Sequence, residues 1–151
     1  MKTTDEGQNQ FVHQRGDIRH RDYESWTASH WDWAWLECPF WISPSDIDFV
    51  IERKGWFLLA ECKPTGADLQ RGQFLTLKAL AAKPHVFVYV LWGDQSPESY
   101  ARIAADGSGW TKHTAFDGGT RYKAIEQTPT SRDDWQRIVK GFFDAVDRKA
   151  A

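Results

Sequence analysis

The sequence predicts an α/β fold with a mixed central sheet, and three observations carry that prediction. Two apolar segments, Ile47 to Arg53 and Trp56 to Lys63, flank the turn dipeptide Lys54-Gly55, which reads as a β-hairpin. A stretch with helical periodicity, Ala67 to Ala82, comes next. After it, His85 to Trp92 (HVFVYVLW) is a continuous apolar run of the kind buried on both faces. Strand, helix and apolar strand imply a right-handed crossover joining a parallel pair. An antiparallel hairpin therefore leads into a βαβ unit, with helices expected on both faces of the sheet.

The remaining elements follow in chain order. Met1 to about Gly16 is polar and expected to be a loose N-terminal arm. Asp22 to His30 can form a short helix with Asp22 as its cap. From Trp31 to Ile42 the chain is dense in aromatics, and Trp31, Trp33 and Trp35 alternate at the strand period of two, although Ala34 and Leu36 are apolar as well. Ser43-Pro44-Ser45 breaks that run, Pro64-Thr65-Gly66 ends the second hairpin strand, and Lys83-Pro84 stops the helix. Beyond Gly93, Tyr100 to Ala104 and Trp110 to Ala115 are expected to pair around Asp106-Gly107-Ser108-Gly109. Ser131 followed by Asp134 resembles a capping box opening a helix over 131–148.

The chain has 151 residues and weighs 17.4 kDa. It is read as one domain over 1–151, a size that buries roughly 70% of the surface its unfolded form exposes. With 41% hydrophobic and 26% charged residues it has the make-up of a globular protein. A formal net charge of -2 argues against a non-specific nucleic-acid coat or a polybasic membrane binder, so any nucleic-acid contact must be local. No apolar run approaches the roughly 20 residues of a membrane helix, and the N-terminus has no apolar signal core. Cys38 and Cys62 make neither a disulfide framework nor a CxxC pair, which points to a cytoplasmic setting and buried free thiols.

The hairpin carries the chemistry. If Lys54-Gly55 is a two-residue turn, Arg53 opposes Trp56, and stepping away from the turn places Asp48 across from Glu61 and Asp46 across from Lys63. Opposed side chains share a face, with Cβ atoms about 5 Å apart. Asp46, Asp48 and Val50 then lie on the face of Glu61 and Lys63, while Ile47, Phe49, Ile51, Leu58, Ala60 and Cys62 face the other way. Two facing carboxylates repel each other, and stability alone does not select them. A divalent cation between them converts repulsion into coordination, and hard oxygen ligands suit magnesium. In the following helix, Leu69, Leu77, Leu80 and Ala81 form an apolar stripe with Gln73 in its middle and Gln70 at its edge. A buried primary amide needs partners, and Gln73 sits early enough in the helix to point back toward Lys63.

Asp-Ile-Asp-Phe-Val-Ile (46–51) followed by Phe-Leu-Leu-Ala-Glu-Cys-Lys (57–63) resembles the core of the PD-(D/E)XK nuclease superfamily, which has a restriction-endonuclease-like fold. The spacing of Leu69 and Gln73 after Glu-Cys-Lys is similar to that in the VRR-NUC branch and related small resolvase-like nucleases. The resemblance spans about Asp46 to Trp92; no Pro immediately precedes Asp48, and the Val-Arg-Arg element of VRR-NUC is not visible. It implies a magnesium-dependent nuclease, with manganese able to substitute, and DNA rather than RNA as its substrate. Asp48 and Glu61 would ligate the metal together with the backbone carbonyl of Cys62. Lys63 would orient or deprotonate the attacking water and offset charge on the scissile phosphate, and Gln73 would hold the water or a phosphate oxygen. Several members place a Glu on the first helix to position a water, and Glu24 occupies that place here. Many such small nucleases pair to address two strands, so a homodimer is consistent with the resemblance.

Plainer roles stand beside these. Asp48, Glu61 and Lys63 could be a surface ion-pair cluster, and Gln73 could simply bond a backbone carbonyl. Asp46 reads as a loop residue or a partner for Lys63 rather than the primary ligand. Glu24 is also what a helix first turn favours through its dipole. His85 begins a strand and is structural. Of the 9 tryptophans, Trp26, Trp31, Trp33, Trp35 and Trp41 crowd one stretch. They suit a core or a protein-partner interface better than a base-stacking platform. The alternative function is a catalytically inactive nuclease-fold protein that binds a protein or nucleic acid.

Overall fold

A computed structural model describes residues 33, 35–41 and 44–149. The chain divides into two units, Met1–Ser43 and Pro44–Ala151. The expected helix at Asp22 to His30, with Glu24, lies outside the described residues, as does the N-terminal arm. In the first unit, the strand expected from Trp31 to Ile42 is not found among the described residues. The Leu36 N–H instead bonds the Trp33 carbonyl at 3.0 Å, and Pro39–Trp41 form one 3-10 turn with Phe40 at φ 60°. The physical reason is local. Apolar residues on both sides of the alternation mark no single face, and Pro39 has no N–H for a ladder. Trp33 and Trp35 are exposed, with ring centroids 5.6 Å apart.

The second unit is mixed α/β. Strands β1 (Phe49–Arg53) and β2 (Trp56–Lys63) form the expected antiparallel hairpin, with Arg53 opposite Trp56 and Phe49 opposite Ala60. Lys54 and Gly55 take φ of 50° and 81°, the left-handed pair that a two-residue hairpin turn demands. The Gly55 N–H is taken by Glu52 Oε1 at 2.7 Å. A short strand β3 (Leu69–Gln70) and helix α1 (Arg71–Ala81) follow, then β4 (Val86–Gly93) parallel to β2. The helix thus starts later than Ala67. Leu69 pairs with Tyr122 in a second sheet and is fully buried there, a tertiary demand that overrides local helical periodicity. His85 sits in the turn before β4 at φ 62° and stacks on Trp56 at 4.2 Å, rather than opening the strand.

The hairpin expected between Tyr100 and Ala115 does not form. Strand β5 (Pro97–Ile103) pairs antiparallel with β4, while β6 (Trp110–Thr114) pairs with β7 (Thr120–Ala124). Ala101, Ile103 and Trp110 are all buried in one cluster, and that burial outweighs the Gly-rich turn signal. Strand β8 (Thr128–Pro129) completes a five-stranded sheet of order β1-β2-β4-β5-β8, beside a three-stranded one of order β3-β7-β6. The chain closes with helix α2 (Arg132–Lys149), whose Asp134 N–H is capped by Ser131 Oγ at 3.2 Å.

The core lies in two clusters that divide the strands by parity. Leu59, Val88, Val90 and Trp92 pack with Phe74 and Leu77 of α1. Leu58, Phe49, Ile51, Phe87 and Tyr89 pack with Phe142 and Val146 of α2. Strands whose alternate residues enter different clusters must be apolar throughout, which accounts for the HVFVYVLW run. Among the described residues no helix is long and apolar enough to cross a membrane.

Candidate functional site

Among the described residues Glu61 is the one buried charged residue, 6% exposed at the carboxyl end of β2. Its Oε1 accepts a hydrogen bond from Gln73 Nε2 at 2.9 Å and lies 3.4 Å from Lys63 Nζ. Lys63 Nζ in turn donates to Gln73 Oε1 at 2.8 Å. One primary amide therefore uses its donor on the acid and its acceptor on the ammonium. It can do so because Glu61 and Lys63 are two apart on β2, on the face covered by α1, and Gln73 lies in the first turn of that helix. The buried-amide problem posed by the helical stripe is resolved by this bridge rather than by a backbone carbonyl.

Asp48 precedes β1 by one residue, and its Oδ2 accepts the Cys62 N–H at 2.8 Å. Burial pushes the Glu61 carboxyl above its ordinary value of 4.5. The neighbouring Asp48 pushes it further, both by charge and by hydrogen-bond contact, while Lys63 pulls it down. Asp48 and Glu61 are thus electrostatic neighbours, as the hairpin register requires. Cys62 is exposed rather than buried, since β2 runs out of cover at this end. Its thiol is pushed up to about 11 by partial desolvation and then by the charges of Asp48 and Glu61. Cys38 is half-buried, and both thiols are free. Asp46 lies in the exposed segment before β1, and Lys63 takes Gln73 and Glu61 as partners instead.

The raised Glu61 value has a measurable sign. Between 4.5 and its folded value, the folded protein holds a proton that the unfolded chain has released, so this residue's contribution to stability falls as pH rises through that window. Glu61→Gln removes the penalty. In metal-free buffer its denaturant midpoint is expected above wild type at pH 8, with the difference closing as pH falls toward 4.5. Equal midpoints at pH 8 would show that Lys63 fully offsets the burial.

Several supporting residues lay beyond sequence reasoning. Trp92 Nε1 donates to the Ala67 carbonyl at 2.7 Å, tying down the loop between Lys63 and β3. Asp68 in the same loop meets His113 Nε2 at 2.7 Å, and Thr65 Oγ1 donates to Glu98 at 3.1 Å. Arg132 bonds the Gln95 carbonyl at 3.2 Å and Ser96 Oγ, fixing the loop after β4. None of these pairs has a short-range signature. The loop borders a cleft of about 220 Å³ lined by Cys62, Lys63, Trp92 and Pro97, among others. The cleft lies outside the carboxyl ends of the parallel strands, where open α/β sheets hold ligands.

The donor set fits a hard divalent cation in type: two neighbouring carboxylates, one strained upward in pKa, and a backbone carbonyl. Among the described residues, no group of three or more His, Cys, Asp and Glu side chains is placed to hold a metal ion. Comparisons with protein-family models, characterised proteins and solved structures returned no match.

Proposed function

We propose that this chain is a small cytoplasmic nuclease of restriction-endonuclease-like fold, hydrolysing phosphodiester bonds, with DNA rather than RNA as the substrate the resemblance implies. In this reading α1 and α2 flank opposite faces of the five-stranded sheet. The observation that carries it is the closed Glu61–Gln73–Lys63 triangle with the Asp48 carboxylate pressed against its acid. A fold selected for stability alone gains nothing from a buried acid with a second acid beside it.

Magnesium, replaceable by manganese, would be held by Asp48, Glu61 and the Cys62 carbonyl, and when bound it supplies charge neutralisation at the phosphate and a more acidic water. The chain's own groups do the rest. Gln73 fixes the Lys63 ammonium, which donates to a phosphate oxygen and offsets its charge. Lys63 also orients the attacking water, with the buried Glu61 carboxylate 3.4 Å from its ammonium. Glu24 is proposed to position a water, and a homodimer would let two such sites address two strands.

Millimolar magnesium or manganese is expected to raise the melting temperature by several degrees, as binding to the folded state alone requires. Asp48→Asn is expected to abolish that gain together with metal-dependent nicking of plasmid or branched DNA. Absence of any shift with wild-type protein would overturn the metal assignment.

The exposed, adjacent rings of Trp33 and Trp35 favour a second reading. Here the fold binds without cutting, with the tryptophan-rich N-terminal third as a surface for a protein partner. That reading expects DNA or partner binding in EDTA and no nicking under any metal.

A further inference from the structure

We propose a second ligand site, on the side of the β2–β4–β5 strands away from Glu61 and Lys63: a pocket for a small organic anion with a planar apolar body, an aromatic carboxylate being the simplest example. A cavity of about 280 Å³ opens between these strands and α2, walled by the rings of Trp56, Phe87, Tyr89 and Phe142 and edged by Arg102. That volume is at the lower end of small-molecule sites, which sets the ligand at one or two fused rings. Leu58, Phe87 and Tyr89 alternate with the residues on the Glu61 face, so the two sites are separated by the sheet itself.

Arg102 supplies the charge preference. Its guanidinium lies 5.9 Å from the Phe87 ring centroid and 5.6 Å from that of Tyr89. No carboxylate among the described residues lies within ion-pair distance of it. Arg53, Arg121 and Arg137 each hold an aspartate instead. An arginine stacked on rings, with its fork of donors unfilled among the described residues, matches a planar carboxylate bidentately. Lys149 Nζ, 5.8 Å from the ring of the lining residue Trp56, adds a second positive charge nearby. Asp147, two residues before Lys149, is already engaged by Arg53 and Lys54. The Tyr89 hydroxyl has no protein hydrogen-bond partner among the described residues, and burial pushes its pKa up, which keeps it a donor.

Gly141 is the independent observation. It sits inside α2 and lines the cavity, and a Cβ built there would meet nothing within 4 Å. Glycine weakens a helix interior, and neither crowding nor a left-handed backbone demands it here. What it provides is room in the cavity wall.

The test uses the full chain in EDTA with 2-naphthoate as probe and 2-naphthamide as its neutral counterpart, followed by NMR titration. Saturable binding of the acid is expected, on the order of millimolar or tighter, with the amide at least about tenfold weaker. Arg102→Met should weaken the acid by a similar factor, and Gly141→Leu should block it. Gly141→Ala should raise the melting temperature, which certifies that the helix accepts a side chain at this position. Lys63→Ala should bind the probe as wild type does. Equal binding of acid and amide, indifference to Arg102→Met, loss of binding in Lys63→Ala, or no saturable binding would each overturn the site.

Discussion

Lys63→Ala is expected to lower metal-dependent phosphodiester cleavage by about 10²–10³-fold, the range for removing one preorganised charge-stabilising donor. The expectation follows from how the ammonium is held. Gln73 Oε1 fixes it at 2.8 Å and Glu61 Oε1 lies 3.4 Å away, so its position is set before any substrate arrives. Lys63 is partly solvent-accessible, and its loss leaves Glu61 free to take up a proton, so the melting temperature should move far less than the rate. A single-turnover assay on supercoiled plasmid separates the outcomes. Cleavage at the wild-type rate would remove Lys63 from the mechanism. Lys63→Arg keeps the charge but replaces a compact ammonium with a wider planar fork, and partial activity at most is expected from it.

Trp92→Ala is expected to cost about 3–5 kcal/mol of folding free energy, read from denaturant midpoints. Trp92 is 1% exposed, stacks on Trp110 at 6.0 Å and belongs to the cluster under α1. Trp92→Phe separates packing from hydrogen bonding. It keeps much of the ring but leaves the Ala67 carbonyl without its donor, a loss of about 1 kcal/mol beyond the smaller volume. Lys63 is the register partner of Trp92, and the loop that Trp92 ties down leads into the helix bearing Gln73. Trp92→Phe should therefore impair cleavage more than its stability loss implies, through the geometry of the Gln73 bridge. A variant with full activity and lowered stability would confine Trp92 to packing.

The hairpin and its acidic pair were legible because everything that sets them is local. A two-residue turn dictates which residues face each other, and parity then sorts Asp48, Glu61 and Lys63 from Leu58, Ala60 and Cys62. Gln73 was legible as an amide out of place in an apolar stripe. The stripe itself was drawn one element too long, because Leu69 answers to Tyr122 in a strand much later in the chain. Distant partners likewise hid β7, which pairs with β3, and β8, which pairs with β5, whereas β5 itself turned back on its sequence neighbour β4. The Arg132 clamp and the Asp68–His113 pair join residues far apart in sequence and leave no mark on local pattern. Aromatic alternation near Trp33 and Trp35 suggested a strand, although the apolar Ala34 and Leu36 beside it already marked no single face.

The Lys54-Gly55 turn has a consequence at the opposite end of β2. One extra residue inserted there would slide Asp48 across from Cys62, onto the side of Leu58 and Ala60, and turn Phe49 toward Glu61. The tip of the hairpin works as a spacer whose length is inherited by chemistry at the far end. It accepts only residues that tolerate a positive φ, and it forbids changes of count.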